Sequence, residues 1–130
     1  MAIRKTSLSA GAIIRDLLLS NEEVKKRTRK VFPIVTDEAA LPYILYRRAA
    51  FDQTPTKAGS PAANAVTMEI FCFTQDYAGS VDLAEAVRAA LDYATAEKGD
   101  LCMRSCVLVD AEEIFEDDAF VQRLIFHVKV

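Results

Sequence analysis

The chain has 130 residues, 52% of them hydrophobic and 27% charged, which is typical of one folded domain over residues 1–130. A chain of this length can fold without disulfides, so its three cysteines and single histidine predict neither a disulfide framework nor a metal site. No apolar run is long enough to cross a bilayer, and we expect a soluble cytoplasmic protein with no membrane partner. The net charge is only −3, but residues 1–30 alone carry eight Lys or Arg against three acids.

Two helices and a short strand are predicted near the start of the chain. Apolar residues recur at helical spacing after Ser7 and Ser9, either of which can cap a helix that ends near Ser20. Ser20 and Glu23 then have the spacing of a capping box, which predicts a short second helix. Val31–Val35 has the composition of a strand, and its proline, which lacks an N–H, places that strand at a sheet edge or makes it a strand start.

Two longer strands are predicted next, after a loop that ends near residue 41. Tyr43–Asp52 is apolar on both faces, with Leu45 and Phe51 expected to share one of them, so we expect cover on both sides. Gln53–Ala63 contains two prolines and a glycine and is predicted to be the longest and most mobile loop. Ala65–Thr74 alternates apolar and other residues as a strand does.

The remaining residues predict one helix and two strands. Ser80 is expected to cap a helix over Val81–Glu97, and Leu101–Ile114 and Ala119–Val130 are predicted to form a hairpin with an acidic turn. The predicted order is therefore α-α-β-β-β-α-β-β. This order indicates an α+β fold, with a mostly antiparallel sheet of about five strands and two main helices packed on it.

Two clusters of opposite charge are candidate contact sites. The basic segment, residues 25–30, contains five cations: Lys25, Lys26, Arg27, Arg29 and Lys30. The acidic segment, residues 110–118, contributes the candidate contact residues Glu112, Glu116, Asp117 and Asp118. Three interpretations stay open: two solvated turns, direct nucleic-acid binding, or contact between copies of the chain. The overall acidity, the lack of Trp and the lack of aromatic residues among the cations weaken the nucleic-acid interpretation.

The sequence offers little for catalysis. It contains none of the glycine-rich phosphate-binding motifs, zinc-protease motifs or nucleophile-elbow motifs. His127 is isolated in a predicted strand, and the three cysteines are interpreted as small hydrophobic residues. Glu112 and Glu113 are expected on opposite faces of a strand, which does not suit shared acid–base chemistry. We therefore predict no catalytic, cofactor-binding or metal-binding residues, and no enzyme activity.

Short motifs in the middle of the chain carry a family resemblance. They are Val31-Phe32-Pro33, then Pro42-Tyr43-Ile44-Leu45-Tyr46, and then Tyr77-Ala78 leading into Leu83-Ala84-Glu85-Ala86-Val87-Arg88-Ala89-Ala90-Leu91. In order, spacing and chain length, residues 8–130 resemble the small tail-completion proteins of long-tailed phages and prophages. The resemblance implies a fold like that of lambda-type tail terminators and tail-to-head joining proteins.

The resemblance also implies a structural role. A protein of this kind forms a hexameric ring on the head-proximal end of the tail tube and presents a surface to the head-side connector, with DNA only as cargo. It would assemble in the cytoplasm of the bacterial host and remain in the tail or neck of the virion. Alternatives are another neck or minor tail component, or a small regulatory or ligand-binding α+β domain. In a ring, the charge clusters are expected either to meet between subunits or to leave the acidic segment facing the channel.

Overall fold

The computed structural model describes residues 3, 5–34, 40–55 and 61–130, without the side chains at 52–55 and 61–64. Its helices are α1 (Ala10–Ser20), α2 (Glu22–Arg27) and α3 (Tyr77–Leu91), with a 3-10 turn at Ser7–Ser9 before α1. Its strands are β1 (Val31–Pro33), β2 (Tyr43–Pro55), β3 (Pro61–Thr74), β4 (Ala96–Lys98), β5 (Leu101–Met103), β6 (Ser105–Glu116) and β7 (Ala119–Lys129). None of the helices in these described ranges has both the length and the apolar character needed to cross a membrane.

Five strands form one sheet in the order β1-β2-β3-β7-β6, and β4 and β5 form a separate hairpin. The β1 and β2 strands are parallel, and every other pair in the large sheet is antiparallel. The α+β class with a mostly antiparallel five-stranded sheet is confirmed. The strands at the two edges of this sheet are β1 and β6.

The hydrophobic core lies between the helices and one face of the sheet, which we call the covered face. Along β3 and β7 every second side chain points into this core, as the alternation in the sequence predicts. The helices contribute residues at helical spacing. The largest core side chains include Ile13, Ile14 and Leu18 of α1, Leu83 and Leu91 of α3, and Met68, Ile70 and Phe126 of the sheet. Leu45, Glu69 and Val121 point to the opposite face, which we call the open face.

The cap of α2 is Asn21, so the predicted capping box at Ser20 and Glu23 is wrong. The Oδ1 atom of Asn21 accepts hydrogen bonds from the backbone N–H groups of Glu23 at 3.0 Å and Val24 at 3.1 Å. Ser20 is the last residue of α1, and its hydroxyl donates to the carbonyl of Leu17. Because Asn21 has extended backbone between the two helices, its side chain can reach the free N–H groups that Ser20 cannot.

The third helix begins and ends earlier than predicted. Asp76 is its cap and accepts a hydrogen bond from the N–H of Gly79, whereas Ser80 lies inside the first turn and donates to the carbonyl of Tyr77. The helix ends at Leu91, not Glu97, and residues 92–95 connect it to β4. At the first helix, Ser9 occupies the N-cap position of α1, as one of the two predicted serines, but its side chain makes no capping hydrogen bond. The 3-10 turn before α1 is capped by Thr6, whose hydroxyl accepts from the N–H of Leu8.

The long hairpin extends through most of the loop predicted over Gln53–Ala63. Pairing between β2 and β3 continues to Pro55 and Pro61, and residues 56–60 lie outside the described residues. A register shift between Arg48 and Ala50 inserts one extra residue into β2. Leu45 is therefore on the open face and Phe51 on the covered side, and the prediction that they share a face is wrong.

The remaining differences concern strand ends. The strand predicted over Leu101–Ile114 is divided at Arg104 into β5 and β6. β1 ends at Pro33, and Ile34 has a positive φ of 64°, so the chain leaves the sheet there. Most of the loop predicted over residues 36–41 lies outside the described residues.

Candidate interaction surface

The basic and acidic segments lie at the same end of the sheet but at opposite edges. The basic segment leads directly into β1, and the carbonyl of Lys30 accepts a hydrogen bond from the N–H of Ile44 at the start of β2. The acidic segment covers the end of β6 and the β6–β7 turn. One row of cross-strand pairs runs across the sheet between the two segments. It consists of Tyr43 with Phe73, Phe73 with Val121, and Val121 with Ile114. The two segments of one molecule are thus separated by the width of the sheet.

The basic segment is partly neutralised by its own helix. Lys25 is 2.9 Å from Glu22, and both Lys26 and Arg27 contact Glu23, at 3.1 and 3.2 Å. These cations hold the pKa values of both carboxyl groups below their ordinary value, chiefly through hydrogen bonds. The free positive charge therefore lies at the end of the segment that adjoins β1.

That end consists of Arg29 and Lys30. The Nζ atom of Lys30 donates to the carbonyl of Ala40 at 2.5 Å, which leaves its charge without a carboxylate partner in the described ranges. Arg29 is exposed and forms no ion pair within the part of the chain that the structure describes. Among the described residues, these two side chains are therefore the cations of the basic segment that have no carboxylate partner.

The acidic segment ends in a tight turn of exposed carboxylates. Asp117 and Asp118 both have positive φ values, 51° and 62°, as the central residues of a two-residue type I′ hairpin turn require. Both aspartates and Glu116 are exposed and have no ion pair among the described residues. Burial, and to a lesser extent the charge of Asp117, raises the pKa of Tyr43. Among the described residues, Glu112 is the one candidate acid with a cation nearby, Arg123 at 3.9 Å.

A buried carboxylate occupies the centre of the open face. The side chain of Glu69 is only 4% exposed, and it lies 2.6 Å from Nε of Arg123 and 2.8 Å from Nη2 of Arg47. The hydrogen bond from Arg123 and the interactions with Arg47 lower the pKa of Glu69 against the opposing effect of burial. The sequence analysis did not identify this triad. Its residues lie on three strands, and the sequence indicates only that each of these strands carries a charged residue on its outward face.

A second polar network surrounds Glu113 of the acidic segment, on the covered side of β6. Glu113 accepts hydrogen bonds from the hydroxyl of Tyr77 at 2.5 Å and from Nε2 of Gln122 at 2.9 Å. Gln122 is buried and also donates to the hydroxyl of Ser80. Glu112 and Glu113 therefore lie on opposite faces, as predicted. The hydrogen bonds, first from Tyr77 and then from Gln122, lower the pKa of Glu113.

Three aromatic rings adjoin this network, and we call them the aromatic cluster. The ring centroids of Tyr77 and Phe120 are 6.1 Å apart with edge-on geometry, and those of Phe115 and Phe120 are 4.9 Å apart. Phe115 is 61% exposed and Tyr77 is 50% exposed. The sequence analysis missed the cluster because its members come from α3, β6 and β7.

The cysteine and histidine side chains differ in burial. Burial raises the pKa of the Cys72 thiol and raises that of Cys106 to about 12, so both are protonated at neutral pH. Cys102 and His127 are exposed. Within the described ranges, no three His, Cys, Asp or Glu side chains form a group that could hold a metal ion.

The fold also occurs in a phage-like particle. A chain in the solved virion of a native gene transfer agent (GTA) particle has the same fold, with a TM-score of 0.82 and 16% sequence identity. The similarity covers 96% of the present chain and 98% of that chain.

The sequence itself gives the family. Residues 12–130 match the family model described as Tail completion protein gp17, and the chain belongs to this family. This is a family of structural tail-completion proteins rather than of enzymes. Family membership confirms the resemblance that the sequence motifs indicated. No curated protein sequence matches the chain.

Proposed function

We propose that this protein completes the tail of a phage-like particle by forming a ring of its own copies at the head-proximal end of the tail tube. The ring is hexameric, as the family resemblance implies, and it contacts the tail-tube protein and the head-side connector. The observation that carries this proposal is the position of the basic and acidic segments on opposite edges of one sheet, at the same end. The protein has no catalytic role, and it is assembled in the host cytoplasm before it becomes part of the tail or neck.

A ring requires contacts between two different patches of the same molecule. When copies are related by rotation about an axis roughly along the strands, the β1 edge of one copy lies beside the β6 edge of the next. Because both charged segments lie at the same end of the sheet, this arrangement brings them to the same height. In a dimer, a two-fold axis parallel to the strands would oppose like charges, and one perpendicular to the strands would place the charged segments of the two copies at opposite ends of the contact. The charge pattern therefore supports a ring over a symmetric dimer.

The charges steer this contact more than they stabilise it. Exposed ion pairs contribute only about 0 to 1 kcal/mol each, but complementary patches accelerate association and fix its register. Since Glu22 and Glu23 already form ion pairs with three cations of the basic segment, Arg29 and Lys30 are the expected partners of the acidic turn.

A second placement is supported by the exposure of Glu116, Asp117 and Asp118, which have no ion pair in the described part of the chain. If these carboxylates line the central channel, their negative field repels the DNA backbone and lets DNA pass without binding. The two placements predict different effects of reversing these charges on ring formation.

The test is the triple reversal Glu116→Lys, Asp117→Lys and Asp118→Lys. Ring formation is measured by light scattering after size-exclusion chromatography, both alone and on purified tail tubes. If the segments meet between copies, the reversal blocks ring formation and the added changes Arg29→Glu and Lys30→Glu restore it. A control with the same charge change at Glu85, Glu97 and Asp100, which are exposed elsewhere, leaves rings intact.

Under the channel placement, the triple reversal leaves rings intact and lowers the yield of infectious particles from normally assembled tails. If neither ring formation nor infectivity responds, both placements are wrong. The acidic segment is then only a solvated turn.

A further inference from the structure

We infer that the aromatic cluster of one copy is the anchor that binds the basic segment of the next copy, with Phe115 at its centre. This inference rests on the proposed ring and adds to it the side chains that hold neighbouring subunits together. The acidic turn would then guide the approach, and the aromatic cluster would provide most of the binding energy.

The described part of the chain leaves much of the cluster uncovered. Phe115 lies near the end of β6 with 61% of its surface exposed, and its ring rests on Phe120 instead of entering the core. Tyr77 is half exposed at the start of α3. Large aromatic side chains that stay exposed together are typical of protein–protein contacts, where a few such residues carry most of the binding energy.

The cluster is held in place before any partner arrives. The hydroxyl of Tyr77 is fixed by Glu113, which is itself held by the buried Gln122. Gln122 is in turn hydrogen-bonded to Ser80 of α3. A surface whose side chains are already ordered loses less conformational entropy on binding, so this network favours affinity.

The chemistry of the surface selects a cation. The faces of aromatic rings attract cationic groups, and the Glu113 carboxylate beside the cluster is hydrogen-bonded to its Tyr77. Glu116, Asp117 and Asp118 add negative charge at its border. An extended or helical segment rich in Arg and Lys is the expected occupant.

The basic segment of a second copy is the occupant that the geometry favours. It lies on the opposite edge of the sheet and at the same end as the aromatic cluster, so neighbouring copies in a ring bring the two together. Arg29 is exposed and without an ion pair in the described ranges, and its planar guanidinium stacks on aromatic rings better than a lysine ammonium does.

The experiment compares Phe115→Ala with Tyr93→Ala, a control at an aromatic residue that is 79% exposed outside the cluster. Self-association is measured against concentration by analytical ultracentrifugation, and binding to tail tubes by co-sedimentation. Phe115→Ala should weaken association on the order of 10- to 100-fold, as expected for a central interface residue, while Tyr93→Ala leaves it unchanged. Circular dichroism confirms that each variant is folded, and Phe115→Gln replaces the alanine variant if that strand does not fold.

The identity of the occupant is tested with a double-mutant cycle. If Phe115 binds Arg29 of the next copy, Arg29→Ala weakens association alone but adds little in the Phe115→Ala background, and Arg29→Lys retains part of the affinity. Full additivity of the two changes would overturn the assignment of the occupant. If Phe115→Ala associates as strongly as the wild-type protein while the acidic triple reversal still blocks assembly, the assignment of the anchor is wrong. The proposal of a ring then stands. Failure of the wild-type protein to associate with itself, alone or on tubes, would overturn both.

Discussion

The two faces of the sheet bury their side chains in different ways. On the covered face, Met68, Ile70 and Phe126 are at most 1% exposed because α1 and α3 pack on them. On the open face, Glu69 is nearly as buried, but its carboxylate is paired with Arg47 and Arg123. The covered face is therefore completed by the chain itself, whereas the open face keeps charged groups that are satisfied yet still partly in contact with solvent.

The largest effect is expected on the covered face. Phe126 is fully buried in the core, and Phe126→Ala should lower the free energy of unfolding by about 3–5 kcal/mol because it removes apolar contacts and leaves a cavity. Urea denaturation measures this loss. Phe126→Leu, which keeps most of the volume, should cost about 1.5 kcal/mol or less. Equal losses for the two variants would mean that packing of this ring does not determine the stability of the covered face.

A smaller effect is expected on the open face. Glu69→Gln removes the charge that both arginines contact, and we expect a loss of about 1.5–3 kcal/mol, the range for hydrogen bonds to charged groups. Glu112→Gln is the matched control on the same face, because its carboxylate is exposed and its contact with Arg123 is long, at 3.9 Å. It should change stability by about 0.5 kcal/mol or less. If the control costs as much as Glu69→Gln, the buried triad has no special role.

The smallest effect is a difference in acid sensitivity. The pKa of Glu69 is lowered in the folded state from its ordinary value of 4.5, so its contribution is fully present above that value and is lost as pH falls through the lowered pKa. Denaturation midpoints measured at decreasing pH below about 5 should therefore decline less for Glu69→Gln than for the wild-type protein. Parallel declines would show that Glu69 is not among the groups that cause acid destabilisation.

The alternation of apolar residues predicted much of the fold. It identified the inward residues of β3 and β7 because their pattern depends only on the two-residue period of a strand. It failed for β2, where one extra residue at the Arg48–Ala50 shift reverses the faces beyond it. Such a bulge depends on pairing with β3, and no local pattern marks it. The caps were misassigned because Asn21 and Asp76 lie within a few residues of equally plausible serines.

The candidate site was predictable only in part. Runs of like charge are visible in a sequence, so both charged segments were found. Their position at one end of the sheet follows from the strand order, which the sequence did not supply. The Glu69 triad and the aromatic cluster join residues that are far apart in the chain, and they depend on the register of β7 against its two neighbours.

The claim that this protein completes a phage-like tail is tested most directly by electron microscopy of particles from host cells that lack its gene. We expect heads and tails to accumulate unjoined, with irregular tail ends, and we expect the wild-type gene supplied separately to restore joined particles. Joined particles in normal numbers without the protein would contradict the account.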